Sequence, residues 1–154
     1  MSPHDHRSGI HPAGPLVIAV DGPSGSGKST VSREVARRLG LAYLDTGAMY
    51  RALTWWCLRA GVALEDHDAV ARAAEQLPLV MGTDPSGPTV HVDGTDVGAQ
   101  IRTTEVSERV SEVATNLAVR AVLRERQRAL IAADPRGTVA EGRDITTVVA
   151  PEAS

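Results

Sequence analysis

The stretch that most limits what this chain can fold into is Gly22-Pro23-Ser24-Gly25-Ser26-Gly27-Lys28-Ser29. It fills every required position of G-x-x-x-x-G-K-[ST], a loop whose backbone N–H groups cradle phosphates. Upstream lies Leu16-Val17-Ile18-Ala19-Val20, short, apolar and rich in β-branched residues, the pattern of a strand buried on both faces. Downstream, Val31, Val35 and Leu39 recur at four-residue spacing, Glu34 is set to pair with Arg38, and Gly40 stands where a helix would stop. The order strand, loop, helix is the one phosphate chemistry requires. Glycines let the backbone curl into a concavity for anionic oxygens, and a helix beginning near Lys28 adds its positive dipole end. The motif therefore implies a bound nucleoside triphosphate held by Gly22 through Ser29, with Thr30 next in the helix. In this reading the Lys28 ammonium reaches the β- and γ-phosphates and the Ser29 hydroxyl ligates Mg²⁺.

A length of 154 residues suits a single domain with a real core. Phe is absent and there are two Trp and two Tyr, so Ala, Val and Leu must do most of the packing. A net charge of −3 argues against a nucleic-acid partner. The lone Cys57 excludes an internal disulfide and fits a reducing compartment. No apolar run approaches the roughly 20 residues that span a bilayer, which argues against a membrane partner. Residues 1–14 lack an apolar core of signal-peptide type and read as a disordered leader, with His4, His6 and His11 solvated. The expectation is a soluble, cytoplasmic protein whose domain begins at residue 15.

Leu41-Ala42-Tyr43-Leu44 reads as a second strand, and Asp45 or Thr46 as the cap of the next helix. Met49, Ala52, Leu53, Trp56, Cys57 and Ala60 form its apolar stripe, and Gly61 stops it. Tyr50 and Arg51 lie off that stripe in the first turn, where Arg51 is a candidate anion clamp beside a strand end. Asp66 caps a short helix through Leu77, with Val70, Ala74 and Leu77 inward. Leu79-Val80-Met81 and Thr89-Val90-His91-Val92, followed by the Asp93-Gly94 turn, predict a small antiparallel patch within an inserted region of about residues 62–102. From Thr103 a helix places Val106, Val110 and Val113 on one face and Ser107 and Ser111 on its neighbour. After a break near Asn116, another carries Val119, Val122, Leu123 and Leu130 inward. Arg120, Arg124 and Arg128 share a different face, with Arg124 and Arg128 read as solvated. Thr138-Val139-Ala140 leads as a strand into Glu141-Gly142-Arg143-Asp144, a charged quartet where ligand contacts belong.

Asp21-Gly-Pro-Ser-Gly-Ser-Gly-Lys-Ser29, Leu44-Asp-Thr-Gly-Ala-Met-Tyr-Arg51, Ile101-Arg-Thr103 and Gly142-Arg-Asp-Ile-Thr-Thr-Val-Val149 together closely resemble bacterial cytidylate kinase, in order and over nearly the whole chain. The second and fourth blocks are far more specific than the phosphate loop. They separate the chain from adenylate and shikimate kinases, and from other small-metabolite kinases. The resemblance implies a phosphate-loop nucleoside monophosphate kinase fold, α/β with a parallel sheet and an inserted nucleotide-binding patch. It implies transfer of the ATP γ-phosphate to CMP or dCMP with Mg²⁺. Lys28 serves the transferred phosphate, and Arg51 and Arg143 match positions that hold the acceptor's phosphate. Ser111, Arg120 and Asp144 match positions that contact cytosine, with Thr46, Tyr50 and Gly142 in the motifs that line the acceptor site. Asp144 can accept from the exocyclic amine of cytosine and Arg120 can donate to the ring acceptors; uracil reverses the pattern at its 4-position.

Two departures from the family pattern stand out. Thr146 occupies a position that is usually Gly, and members continue well past this C-terminus through a further strand and an arginine-bearing lid. The chain thus resembles the first two-thirds of such a kinase, which gives an alternative expectation: a fragment that binds nucleotide without turnover. The full-length form is expected to be a monomer. In this chain the strand Leu16 to Val20, central in the family's five-stranded sheet, is expected to form an edge that promotes self-association.

Overall fold

The computed structural model describes residues 16–22, 27–143 and 145. A parallel sheet organises the molecule in the order β1 (Val17–Asp21), β6 (Thr138–Gly142), β2 (Ala42–Asp45). Val17 pairs with Thr138 and Asp21 with Gly142, while Ala42 and Asp45 oppose Thr138 and Glu141. The three strands therefore end level with one another, at the place where α/β sheets bind ligands.

β6 is buried along its whole length because a strand lies on each side of it. β1 is only half-buried, contrary to the expectation from its apolar sequence, because among the described residues its outer edge carries no strand. β2 has a partial cover on its own outer side, where Tyr43 N–H donates to Thr83 O at 2.9 Å.

Helix α1 (Lys28–Leu39) begins where the motif predicts and ends at Gly40, whose left-handed φ of 69° lets its N–H reach Ala36 O and Arg37 O. Glu34 accepts from Arg38 at 2.7 Å as its spacing requires. The inward face is not the Val31-Val35-Leu39 stripe, however. Ser32 and Ala36 are buried, whereas Val31 is 59% and Leu39 57% exposed. Small residues let α1 pack closely on Leu41 and on Tyr43 and Val139 of the sheet.

On the opposite sheet face lie α2 (Thr46–Ala60) and α5 (Leu117–Ala133), enclosing Leu44, Met49, Ile131, Ala140 and Ile145. Asp45, not Thr46, caps α2 by accepting from Ala48 N–H at 3.1 Å, and Gly61 closes it. Met49, Ala52, Leu53 and Cys57 are fully buried, while Trp56 is half-buried and Ala60 exposed at the frayed end of the stripe. Burial pushes the Cys57 thiol up to about 11, in keeping with a packing role.

The second core joins α2 to α3 (His67–Gln76), α4 (Thr104–Ala114), α5 and an antiparallel sheet of β3 (Leu79–Gly82), β4 (Thr89–Val92) and β5 (Thr95–Asp96). Asp66 caps α3 and Val70, Ala74 and Leu77 point inward as expected. β5 is one strand more than the sequence suggests. It is two residues long and exposed, and the Asp93-Gly94 turn alone returns the chain to pair with β4. Asn116 breaks α4 from α5 by accepting from the Ala118 and Val119 N–H groups. Val119 and Leu123 point inward from α5, and so does Gln127, 1% exposed on a face read as purely apolar.

Candidate functional site

The first turn of α1 is open to an anion. Gly27 enters it with a left-handed φ of 79° and no side chain caps its N–H groups. From that turn project Lys28 and Ser29. Pro23, Ser24, Gly25 and Ser26 lie outside the described residues, as do Asp144 and Thr146.

Facing the turn is Glu141, 2% exposed at the end of β6. Its Oε2 accepts from Ser29 Oγ at 3.1 Å and lies 3.7 Å from Lys28 Nζ. The Tyr43 hydroxyl donates to Oε1. A buried carboxylate is costly unless paired, and here a cation and two hydroxyls share it. The residue's backbone is held as well, since Thr46 Oγ1 donates to Glu141 O at 2.8 Å. That contact explains Gly142: a Cβ there would lie 2.0 Å from Thr46 Oγ1, so the strand can approach α2 only as glycine.

The neighbourhood is electrostatically tense. Burial, and then the Glu141 charge, raises the Asp45 carboxyl above its ordinary range. Burial together with Asp45 and Glu141 drives the Tyr43 phenol far upward, so it remains a proton donor.

A second cluster lies further along α2. Arg51, in the second turn and not the first, donates to Ile101 O at 3.2 Å and to Ser107 Oγ at 2.8 Å. Arg120, on the first turns of α5, donates to Ala114 O at 3.2 Å. Tyr50 lies near enough to Arg120 and Arg124 that both oppose the upward shift burial imposes on its phenol. Ser111 is exposed one turn beyond Ser107 on α4, and Arg143 is exposed just after β6. Arg124 is not the solvated residue its spacing suggests: it is half-buried, with its Nε buried and unbonded. Arg128 is exposed and meets Glu125 at 3.4 Å.

Of the residues read from sequence, the structure gathers Gly27, Lys28, Ser29, Thr46 and Gly142 at the strand ends, and Tyr50, Arg51 and Arg120 beside α4 and α5. Thr30 lies in α1, exposed. Sequence reasoning placed Glu141 in the charged quartet at the strand end but not against Lys28 and Ser29, and it missed Tyr43 as a partner of Glu141 and Ser107 as a partner of Arg51. The signal for Glu141 and Tyr43 was a lone acid and a lone phenol, each in an otherwise apolar strand that must be buried.

Phosphate-loop α/β proteins are the class in which a glycine-rich motif between a strand and a helix is followed by a lysine and a serine at the sheet's strand ends, and this chain is one of them. Comparison sets it within the class. The model of the cytidylate kinase family matches residues 18–154, so the chain belongs to that family and has its phosphate-loop nucleoside monophosphate kinase fold. It is 51% identical over 138 residues to the cytidylate kinase of Streptomyces avermitilis and 57% identical over 139 to that of Nocardia farcinica. Each match covers 90% of this chain and 60% of the relative, so the chain spans about 60% of their length. A bifunctional pantoate ligase/cytidylate kinase of Thermosynechococcus vestitus is 49% identical over 139 residues, covering 89% of this chain and 27% of that protein.

Proposed function

We propose that the protein transfers the γ-phosphate of ATP to CMP or dCMP, giving ADP and the cytidine diphosphate. The observation that supports this best is the placing, by the single helix α2, of two unlike charge clusters. Its first residue touches the strand ends beside Lys28, and its second turn carries Arg51 toward α4. The acceptor phosphate is already an anionic nucleophile, so the reaction needs positioning and neutralisation of charge more than a strong base.

In this reading residues 22–30 cradle the triphosphate and Lys28 pairs with its outer phosphates. Arg51 and Arg143 hold the acceptor's phosphate, with Thr46, Tyr50 and Gly142 lining the acceptor side. Ser111, Arg120 and Asp144 read the cytosine. The inserted region around residues 62–102 forms the acceptor-binding part of the domain. The residues present also fit Mg²⁺: Ser29 Oγ and Glu141 Oε2 are hard oxygen donors set 3.1 Å apart beside the loop. Bound there, the ion would neutralise charge between the β- and γ-phosphates. The alternative of a fragment that binds nucleotide without turnover is not favoured by the family matches.

We place the protein in the cytoplasm, where a lone reduced thiol suits its surroundings; no helix among the described residues is long and apolar enough to cross a membrane. Among the described residues the outer side of β1 carries no strand, and self-association of this 154-residue chain through that edge is a proposal that sedimentation across a concentration series checks. The central test is ADP release from ATP. Release that rises with CMP or dCMP but not with UMP, at roughly 1–100 s⁻¹ as for other kinases, is expected. ADP release indifferent to CMP would overturn the assignment.

A further inference from the structure

Glu141 is held from three directions, and one of them has no evident reason in packing. Tyr43 is 2% exposed on β2, with its ring against Ala36, Leu41 and Val139. Phenylalanine would fill that space equally well. The hydroxyl must therefore be explained by its partner, since a buried O–H that found none would be costly. That partner is Glu141 Oε1. The register makes the meeting unavoidable: Tyr43 sits opposite Val139, so Glu141, two residues on, is its diagonal neighbour on the same sheet face.

The two carboxylate oxygens thus have separate partners. Oε1 is tied to Tyr43, and Oε2 is left facing Ser29 at 3.1 Å and Lys28 at 3.7 Å. A glutamate has three side-chain torsions to fix, and the backbone contact from Thr46 fixes none of them. We infer that Tyr43 is a positioning residue: its hydroxyl locks the Glu141 carboxylate so that one oxygen always faces the cation end of the phosphate loop. This rests on the reading above, in which Ser29 and Glu141 flank the metal of the bound nucleotide. Groups that orient the ligands of a metal typically matter by about 10–100-fold in metal affinity.

The test uses the full chain, ATP, and Mn²⁺ as a paramagnetic stand-in for Mg²⁺. In Tyr43→Phe, Mn²⁺ affinity of the ATP complex, followed by electron paramagnetic resonance, should fall by roughly 10-fold or more. ATP affinity measured in EDTA should stay within about 3-fold, because the phosphate contacts of the loop are not altered. Glu141→Gln should weaken Mn²⁺ at least as much. Adding Tyr43→Phe to Glu141→Gln should cost less than about a further 2-fold, since the hydroxyl acts through the carboxylate. An unchanged Mn²⁺ affinity in Tyr43→Phe, full additivity in the double variant, or loss of the fold in Tyr43→Phe would each overturn the inference. Wild-type chain that binds no ATP would overturn the reading beneath it as well.

Discussion

The two ends of α2 present cations in opposite states. At the strand ends the Lys28 ammonium already faces a carboxylate, Glu141, 3.7 Å away. Beside α4 and α5, Arg51 and Arg120 reach only carbonyl and hydroxyl oxygens, and Arg124 keeps a buried, unbonded Nε. Among the described residues none of these three arginines meets a carboxylate within salt-bridge distance. The difference is chemical. An anion arriving at the arginines meets neutral partners and gains nearly the full attraction. One arriving at Lys28 must displace a carboxylate, and that exchange is balanced best if a second cation arrives to take over Glu141. On the function proposed above, the first end would take a nucleotide accompanied by a metal, and the second the acceptor nucleotide.

The harshest way to break this comparison is Lys28→Ala. It should lower ATP affinity by at least about 100-fold by calorimetry, since truncating one member of a buried charged contact costs about 2–5 kcal/mol. Unchanged ATP affinity would mean the loop end is not the triphosphate site. Arg51→Ala and Arg120→Ala sharpen the contrast: each should weaken CMP by roughly 10–100-fold, the range of a lost charged hydrogen bond, while ATP affinity moves little. Equal losses for both nucleotides would merge the two ends into one. Next in size, Gly142→Ala should destabilise the chain by about 1–3 kcal/mol in urea melts, the usual cost of forcing atoms into a filled space. Thr46→Ala in the same chain should return part of that loss, because the atom met at 2.0 Å is the Thr46 hydroxyl. Smallest of all, Arg128→Ala removes an exposed contact at 3.4 Å and should change stability by less than about 1 kcal/mol, with CMP binding unaffected.

Much of this was legible in the chain because local rules decided it. Gly27 before Lys28, Asp45 before Thr46, Asp66 before His67 and Asn116 before Leu117 each mark a helix start through backbone geometry or a side-chain cap. Periodicity found the inward faces of α2, α3 and α4. It failed on α1, where the close approach of the sheet selected Ser32 and Ala36 over the larger Val31 and Leu39. The loop lysine and Arg51 stood within recognisable blocks. Glu141 stood in the charged quartet, but its meeting with Tyr43 and the loop was hidden, since what joins them is strand order, and β6 lies between β1 and β2 although it comes last in the described chain. Arg124 was misjudged because helical spacing gives its face and not its surroundings: it is half-buried and lies near enough to Tyr50 of α2 to act on its phenol.

Cys57 sits at the centre of α2 with no exposed surface, and it is the only sulfhydryl in the protein. Between them these facts make the chain its own stopwatch. A thiol reagent can reach the sulfur only when the packing around α2 opens, so the labelling rate counts openings of the element that carries both clusters. Because burial holds the thiol near 11, adventitious oxidation of the closed form at neutral pH is slow and the background is low. Any ligand that binds only the closed form must slow the count by the factor 1 + [L]/Kd. ATP and CMP, added singly and then together, can thus be weighed against each other without turnover, without a dye, and without altering a single residue.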